Sequence, residues 1–266
     1  MKYRSSQVFT STKSALVIAH PGHELRVYHW LELAKPFVFI LTDGSGRCGT
    51  SRLESTATLL EKARAQRGLI FGRLTDLVLY HKMLERDSDF FIDLAEELAE
   101  RLYHHRIDYV AGDASEGYNP AHDICRLIID AATQIVKSRH KASLLNFDFA
   151  LSGPPNACPK NVRDKALWIS LDDLQFERKL DLALGYPQLR AEVESALAAN
   201  GNDAFRIECL RPVEPNLHYS HFQKPPFYEQ YGENQVAAGF YDRVIRYREH
   251  VLPLARALAR HVERVV

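Results

Sequence analysis

Short apolar runs rich in branched residues alternate along this chain with longer segments whose apolar residues recur at helical spacing. Ser14-Ala15-Leu16-Val17-Ile18-Ala19 ends in His20-Pro21-Gly22, a run with a built-in stop that predicts a buried parallel strand. Residues 24–35 place Val27, Leu31 and Ala34 on one helical face, and Phe37-Val38-Phe39-Ile40-Leu41 predicts a second buried strand closed by Thr42-Asp43-Gly44-Ser45-Gly46. Residues 51–67 have helical composition and stop at Gly68. The pattern of residues 69–87 fits a short strand or a helix around Leu77-Val78-Leu79-Tyr80. Phe90, Leu94, Leu98 and Leu102 mark a helix from Asp89 to His104, Ile107–Ala111 a strand, and Pro120 opens a helix running to about Lys137. Leu144–Leu151 predicts another strand.

Strand and helix thus alternate at least three times, the pattern of an α/β fold with a mostly parallel sheet flanked by helices. Reactive loops in such sheets lie beyond the carboxyl ends of the strands. His20, Asp43 and the 112–122 loop all follow strands, so one crevice can collect them. The second half is less regular. Residues 172–199 are expected to be helical with a break at Gly185-Tyr186-Pro187, residues 211–227 hold four prolines and read as loop, and residues 233–264 read as one long closing helix. The expected organisation is a single domain over 1–266: an α/β core at 14–212, then a C-terminal loop-plus-helix extension at 213–266.

Composition narrows the classes. The chain has 266 residues, 46% hydrophobic and 26% charged, an ordinary globular mixture long enough to bury a core without disulfides. With 34 basic against 34 acidic residues, no broad electrostatic footprint for nucleic acid exists. No run approaches the roughly 18 apolar residues of a membrane span, and the polar start does not resemble a signal peptide. Cys48, Cys125, Cys158 and Cys209 form no C-x-x-C pair, which fits reduced thiols and a cytoplasmic location. The expected partner is a small-molecule substrate, with no nucleic acid and no membrane; a homo-oligomer is left open.

Candidate chemistry centres on histidine. His104 and His105 end a helix, where cations suit the dipole, and His140, His250 and His261 lie beside basic residues. His20 and His23 instead occupy a tight turn after a buried strand. Two imidazoles three residues apart suit a divalent metal, with His122 as a third ligand from across the crevice. The competing reading makes them turn residues with ordinary hydrogen bonds, and a lone H-x-x-H is not the H-E-x-x-H helix of the zincins.

Ala19-His20-Pro21-Gly22-His23-Glu24 resembles the A-H-P-D-D-E signature of the LmbE-like, or PIG-L-type, deacetylases. Leu41-Thr42-Asp43-Gly44 is similar to that family's second-strand ending, and Asn119-Pro120-Ala121-His122 to its H-P-D-H. The stretch from Phe176 to Glu208, with Lys179 and Tyr186, is similar to the segment after the core sheet. The resemblance covers residues 14–212 in outline. It implies a Rossmann-like fold and a zinc-dependent amidase, an N-deacetylase acting on a small amino sugar or related metabolite. It also implies His20, His23 and His122 as ligands of Zn2+ or another divalent transition metal.

The departures matter as much. Gly22 takes the place of the general-base aspartate, Asn119 that of the histidine at the oxyanion, and Ala121 that of its supporting aspartate. Two readings follow. In one, three neutral imidazoles leave the metal more positive and bring its water to a pKa of about 7; Asn119 donates to the oxyanion, and Glu24, Asp43 or Asp123 handles protons. In the other, the protein binds a family-like ligand without turnover, since losing a general acid or base costs about 100- to 10,000-fold. Different metal chemistry on a natural-product intermediate is a third possibility. Arg47, Tyr118 and Tyr228 are the candidates for holding substrate. Phe227-Tyr228-Glu229-Gln230-Tyr231-Gly232 reads either as a lid that stacks a sugar ring or apolar group, or as a loop packed by its own aromatics. A second H-x-x-H, His218 to His221, lies in the proline-rich loop.

Overall fold

Strand β1 (Ser14–Ile18) is buried on both faces. Its residues Leu16 and Ile18 pack to one side with Val38 and Ile40 of β2 (Phe37–Thr42). Ala15 and Val17 pack to the other side with Phe39 and Leu41. Alternate side chains thus feed two cores, which is why both strands read as continuous apolar runs. A computed structural model describes residues 11–46, 49–213, 222 and 224–265. The readings placed on Arg47, Cys48, His218 and His221 lie outside those residues.

The sheet has seven strands in the order β3-β2-β1-β4-β5-β7-β6. β1 runs parallel to β2 and to β4 (Tyr109–Asp113), β2 to β3 (Gln66–Leu74), and β4 to β5 (Leu145–Phe149). β6 (Leu167–Ser170) and β7 (Ile207–Pro212) were not anticipated as strands; β7 pairs antiparallel with both β5 and β6. Their runs are four and six residues long, too short to stand out from a buried helix segment by periodicity.

On one face lie α1 (Tyr28–Ala34), α2 (Leu53–Ala63) and α6 (Asp173–Leu184), around Trp30, Leu31, Leu60 and Ala183. The other face carries α3 (Asp76–Glu85), α4 (Ser88–His104), α5 (Pro120–His140) and α9 (Leu252–Val265). Helix α5 is buried almost all round. α7 (Arg190–Asn200) and α8 (Phe227–Ala237) complete the set.

Residues 69–87 resolve into the end of β3 and then α3, separated by Thr75, whose hydroxyl accepts from the Val78 N–H. Pairing with β2 makes residues 66–74 a strand, and the register there shifts twice. The expected closing helix over 233–264 is broken. α8 stops at Ala237, Gly239 takes φ 73°, and the chain re-enters a helix at Tyr247 through a π-type turn before α9. The sequence Phe227–Gly232 is the start of α8 rather than a loop. Proline at 226 stands before it in the extended conformation, as suits a helix entry.

β1 is where the strand order turns back, since β2 and β3 lie to one side of it and β4 and β5 to the other. Loops leaving β1 and β4 at their carboxyl ends diverge to opposite faces and open a crevice between them. Residues 19–24 and 114–122 are those loops.

Candidate functional site

The turn after β1 is clamped from both neighbouring strands. Ala19 N–H donates to Asp113 Oδ2 at 2.7 Å, and Ala19 O accepts from the Thr42 N–H and from Thr42 Oγ1, each at 3.0 Å. Gly22 then takes φ 107°, a left-handed conformation open to glycine, and a 3-10 turn over His23–Val27 leads into α1. The reversal swings His23 back over the strand end.

The three histidines meet. Ring centres lie 5.4 Å apart for His20 and His23, 5.4 Å for His20 and His122, and 4.5 Å for His23 and His122. Three imidazoles sharing one tetrahedral zinc would place their ring centres about 5 Å apart, given Zn–N of about 2.0–2.1 Å. His20 and His122 are buried, at 5% and 8% exposure.

Partners fix the free nitrogens. His20 Nδ1 lies 2.8 Å from Thr42 Oγ1 and 2.9 Å from Asp76 Oδ1. Thr42 gives its proton to Ala19 O, so His20 Nδ1 is the donor and Nε2 carries the lone pair. His23 Nδ1 faces both oxygens of Asp113, at 3.0 and 2.9 Å, and its Nε2 is likewise left as an acceptor. His122 Nδ1 is buried without a hydrogen-bond partner among the described residues. Burial first, then the neighbouring imidazoles, hold His23 and His122 well below the usual histidine range, so both rings are neutral at pH 7. Carboxylates behind ligand histidines are the usual means of aiming such rings at a cation. The donor set therefore fits a divalent metal. Among the described residues no group of three or more His, Cys, Asp or Glu already stands at ligand geometry; ring spacing and unengaged nitrogens are what the structure shows.

Asp76 and Asp113 escaped sequence reasoning. Asp113 ends β4 on the same sheet edge as His20, a signal available in the strand pattern; it is fully buried, and burial pushes its carboxyl up to about 6. Asp76 opens α3 and accepts from Gly46 N–H at 2.5 Å. Burial alone would raise its pKa, but the adjacent His20 imidazole and the Gly46 N–H hold it below the usual carboxylate range. Arg52 was also missed. Its Nε donates to Gly44 O at 2.6 Å, and its charge helps to keep His23 and His122 neutral.

The other expected site residues divide. Asn119 caps α5: its Oδ1 accepts from Ala121 N–H at 2.8 Å and from Tyr80 Oη at 3.3 Å, which leaves Nδ2 as the donor. Tyr118, beside it, is 54% exposed. Glu24 is turned away from proton transfer: it is fully buried, with Oε1 accepting from Thr56 Oγ1 at 2.5 Å and Oε2 from Gly22 N–H at 2.7 Å. Asp43 Oδ1 accepts from the N–H and hydroxyl of Ser45 and so shapes its own turn. Asp123 Oδ1 accepts from the Glu116 and Gly117 N–H groups at 3.0 and 3.2 Å; it braces the loop rather than a ligand histidine. Tyr228 belongs to the core, at 4% exposure.

No protein-family model matches the sequence, and no curated protein matches it. Solved structures do. The conserved protein TT1542 from Thermus thermophilus superposes with TM-score 0.50 at 18% identity, covering 79% of this chain and 100% of its own. The A40926 pseudoaglycone deacetylase Dbv21 superposes with TM-score 0.51 at 17% identity, covering 77% of this chain and 98% of its own. The chain thus has the α/β fold that these two share, at a sequence distance that shows the fold alone.

Proposed function

We propose that this protein is a metal-dependent amidohydrolase, an N-deacetylase acting on a small N-acylated amino sugar or related natural-product intermediate. The observation that carries the reading is the convergence of His20, His23 and His122 with carboxylates behind two of them. These three rings would hold zinc or a similar divalent ion. Such a cation supplies Lewis acidity for the acyl oxygen and lowers the pKa of water.

The chain's own residues do the rest. Asp113 keeps the His23 proton on Nδ1, and Thr42 Oγ1, with Asp76 alongside, does the same for His20. Asn119 Nδ2 is the donor for the developing oxyanion, its Oδ1 being fixed by the α5 cap. Tyr118, exposed beside Asn119, holds the substrate at the rim. The neutral His23 and His122 spare the crevice a buried charge before it is filled.

One observation favours a second reading, ligand binding without turnover. The position of the family's general base is Gly22, and Leu189 fills the space a side chain there would take.

The protein is expected to work as one domain in the cytoplasm; no helix among the described residues is long and apolar enough to cross a membrane. The test has two steps. Purified protein is assayed for about one zinc-like ion per chain, which His23→Ala should strip; folded protein that never takes up metal overturns the proposal. Loaded protein is then assayed for free amine from N-acetylglucosamine derivatives. Metal-dependent release supports the enzyme, and tight binding without release supports the second reading.

A further inference from the structure

Three large aromatic side chains stand in a row at the rim of the crevice. Tyr118 and Phe227 stack with ring centres 5.3 Å apart and planes 5° from parallel. Tyr231, one turn further along α8, continues the row 6.3 Å from Phe227 at a tilt of 33°. Each stays about half exposed, at 54%, 54% and 47%. Rings that merely finish a core are covered, and neighbouring exposed aromatic rings on a folded surface usually mark a binding site.

The row is built rather than incidental. Tyr118 sits in the β4–α5 loop, immediately before Asn119. α8 is pinned to that loop by Tyr228 N–H donating to Gly117 O at 3.3 Å, and an added Cβ on Gly117 would meet Phe222 and Pro226 at 3.1 Å. Tyr231 also acts electrostatically on Tyr80, whose hydroxyl donates to Asn119. The three rings therefore adjoin the loop that carries Asn119 and His122.

We infer that Tyr118, Phe227 and Tyr231 form a stacking shelf for a flat aromatic group that the substrate carries beyond its amide. A pyranose ring is covered by one aromatic face. Parallel planes at 5.3 Å mean that Tyr118 and Phe227 are offset-stacked, each leaving its outer face for a further flat ring such as an aryl group attached to the sugar. The inference rests on the amide-hydrolase reading only for the position of the amide; the shelf binds its aryl group whether or not turnover follows.

Calorimetry on the full-length, metal-loaded protein compares methyl and 4-methylumbelliferyl N-acetyl-β-D-glucosaminide. One well-placed stacking contact predicts aryl binding tighter by roughly 2- to 10-fold. Phe227→Ala should remove that preference and Phe227→Trp restore it. Tyr231→Ala, at the far end of the row, should weaken it. Phe227 and Tyr231 are exposed enough that melting temperature should hold in each variant. Equal affinity for the two glycosides, or a preference that survives Phe227→Ala and Tyr231→Ala together, overturns the shelf. Aryl preference without amine release from either glycoside keeps the shelf and removes the hydrolase reading. A dimer at assay concentration that Phe227→Ala dissociates assigns the rings to a subunit contact and overturns the inference.

Discussion

Leu189 occupies the space that a side chain at Gly22 would need. An ideal Cβ on Gly22 lies 2.1 Å from Leu189 Cδ1, with the Tyr186 ring next nearest at 3.9 Å. The corner of the histidine turn at Gly22 is therefore closed by hydrocarbon. Tyr186 reinforces the closure, its hydroxyl donating to Arg52 O at 3.1 Å and lying 2.9 Å from Thr56 Oγ1.

Gly22→Asp should consequently destabilise the protein and fail to add a base. A non-glycine residue at φ 107° costs about 1–2 kcal/mol, and overpacking against Leu189 adds about 1–3 kcal/mol. Chemical denaturation of the two proteins measures the loss. A Gly22→Asp protein as stable as the parent would show that Leu189 yields freely. Leu189→Ala beside it should recover part of the overpacking cost.

Asp113→Asn tests how His23 is aimed. The carboxylate holds His23 Nδ1 and also takes the Ala19 N–H. Replacing such a partner typically costs 10- to 100-fold in metal affinity. Competition against a chelating zinc dye should show that loss in Asp113→Asn, with Asp76→Asn giving a loss of the same order through His20. Unchanged affinity in both would separate these carboxylates from the site's chemistry.

Metal-free protein should lose stability as pH falls below 6.5. His23 and His122 are held below the ordinary 6.5 when folded, so in that range the unfolded chain binds protons that the folded chain does not. The stability is present above 6.5 and is lost as pH drops toward the folded values. Asp113 and Asp123, both raised to about 6, act oppositely between about 4 and 6, so the loss should flatten below about 6. Melting temperatures at pH 7.5 and 6 should differ more for the parent than for a His23→Gln, His122→Gln double variant. Equal differences would mean that the two rings charge freely.

Lys179→Met should cost roughly 3–5 kcal/mol, the usual loss when one partner of a buried ion pair is removed. Lys179 Nζ donates to Glu208 Oε1 at 2.7 Å and to Arg26 O at 3.0 Å, and both side chains are buried. Glu208 also accepts the His29 and Trp30 N–H groups at 2.9 and 2.7 Å, so the pair anchors the start of α1, just behind the histidine turn. Urea denaturation reads the effect. Lys179→Met combined with Glu208→Gln should be less harmful than the sum of the two, because no uncompensated charge is then left.

Local pattern alone fixed the parallel half of this protein. Runs such as Leu16–Ile18 and Val38–Leu41 have one buried solution, and His20-Pro21-Gly22 can only end a strand, so the position of the histidine turn at a sheet edge was legible. His20, His23 and His122 could be nominated because each follows a strand. Long-range contact decided what pattern could not express. β7 is a strand because it pairs with β5 and β6, and the closing helix breaks at Gly239, which its apolar spacing does not record. Asp113 and Asp76 become partners of the histidines across 90 and 56 residues of chain. Glu24 looks free for catalysis in one dimension and is taken up by the Gly22 N–H and the Thr56 hydroxyl in three, and one oxygen of Asp123 is taken by the Glu116 and Gly117 N–H groups. A buried polar group must find a partner, and which partner is within reach depends on how the whole chain packs.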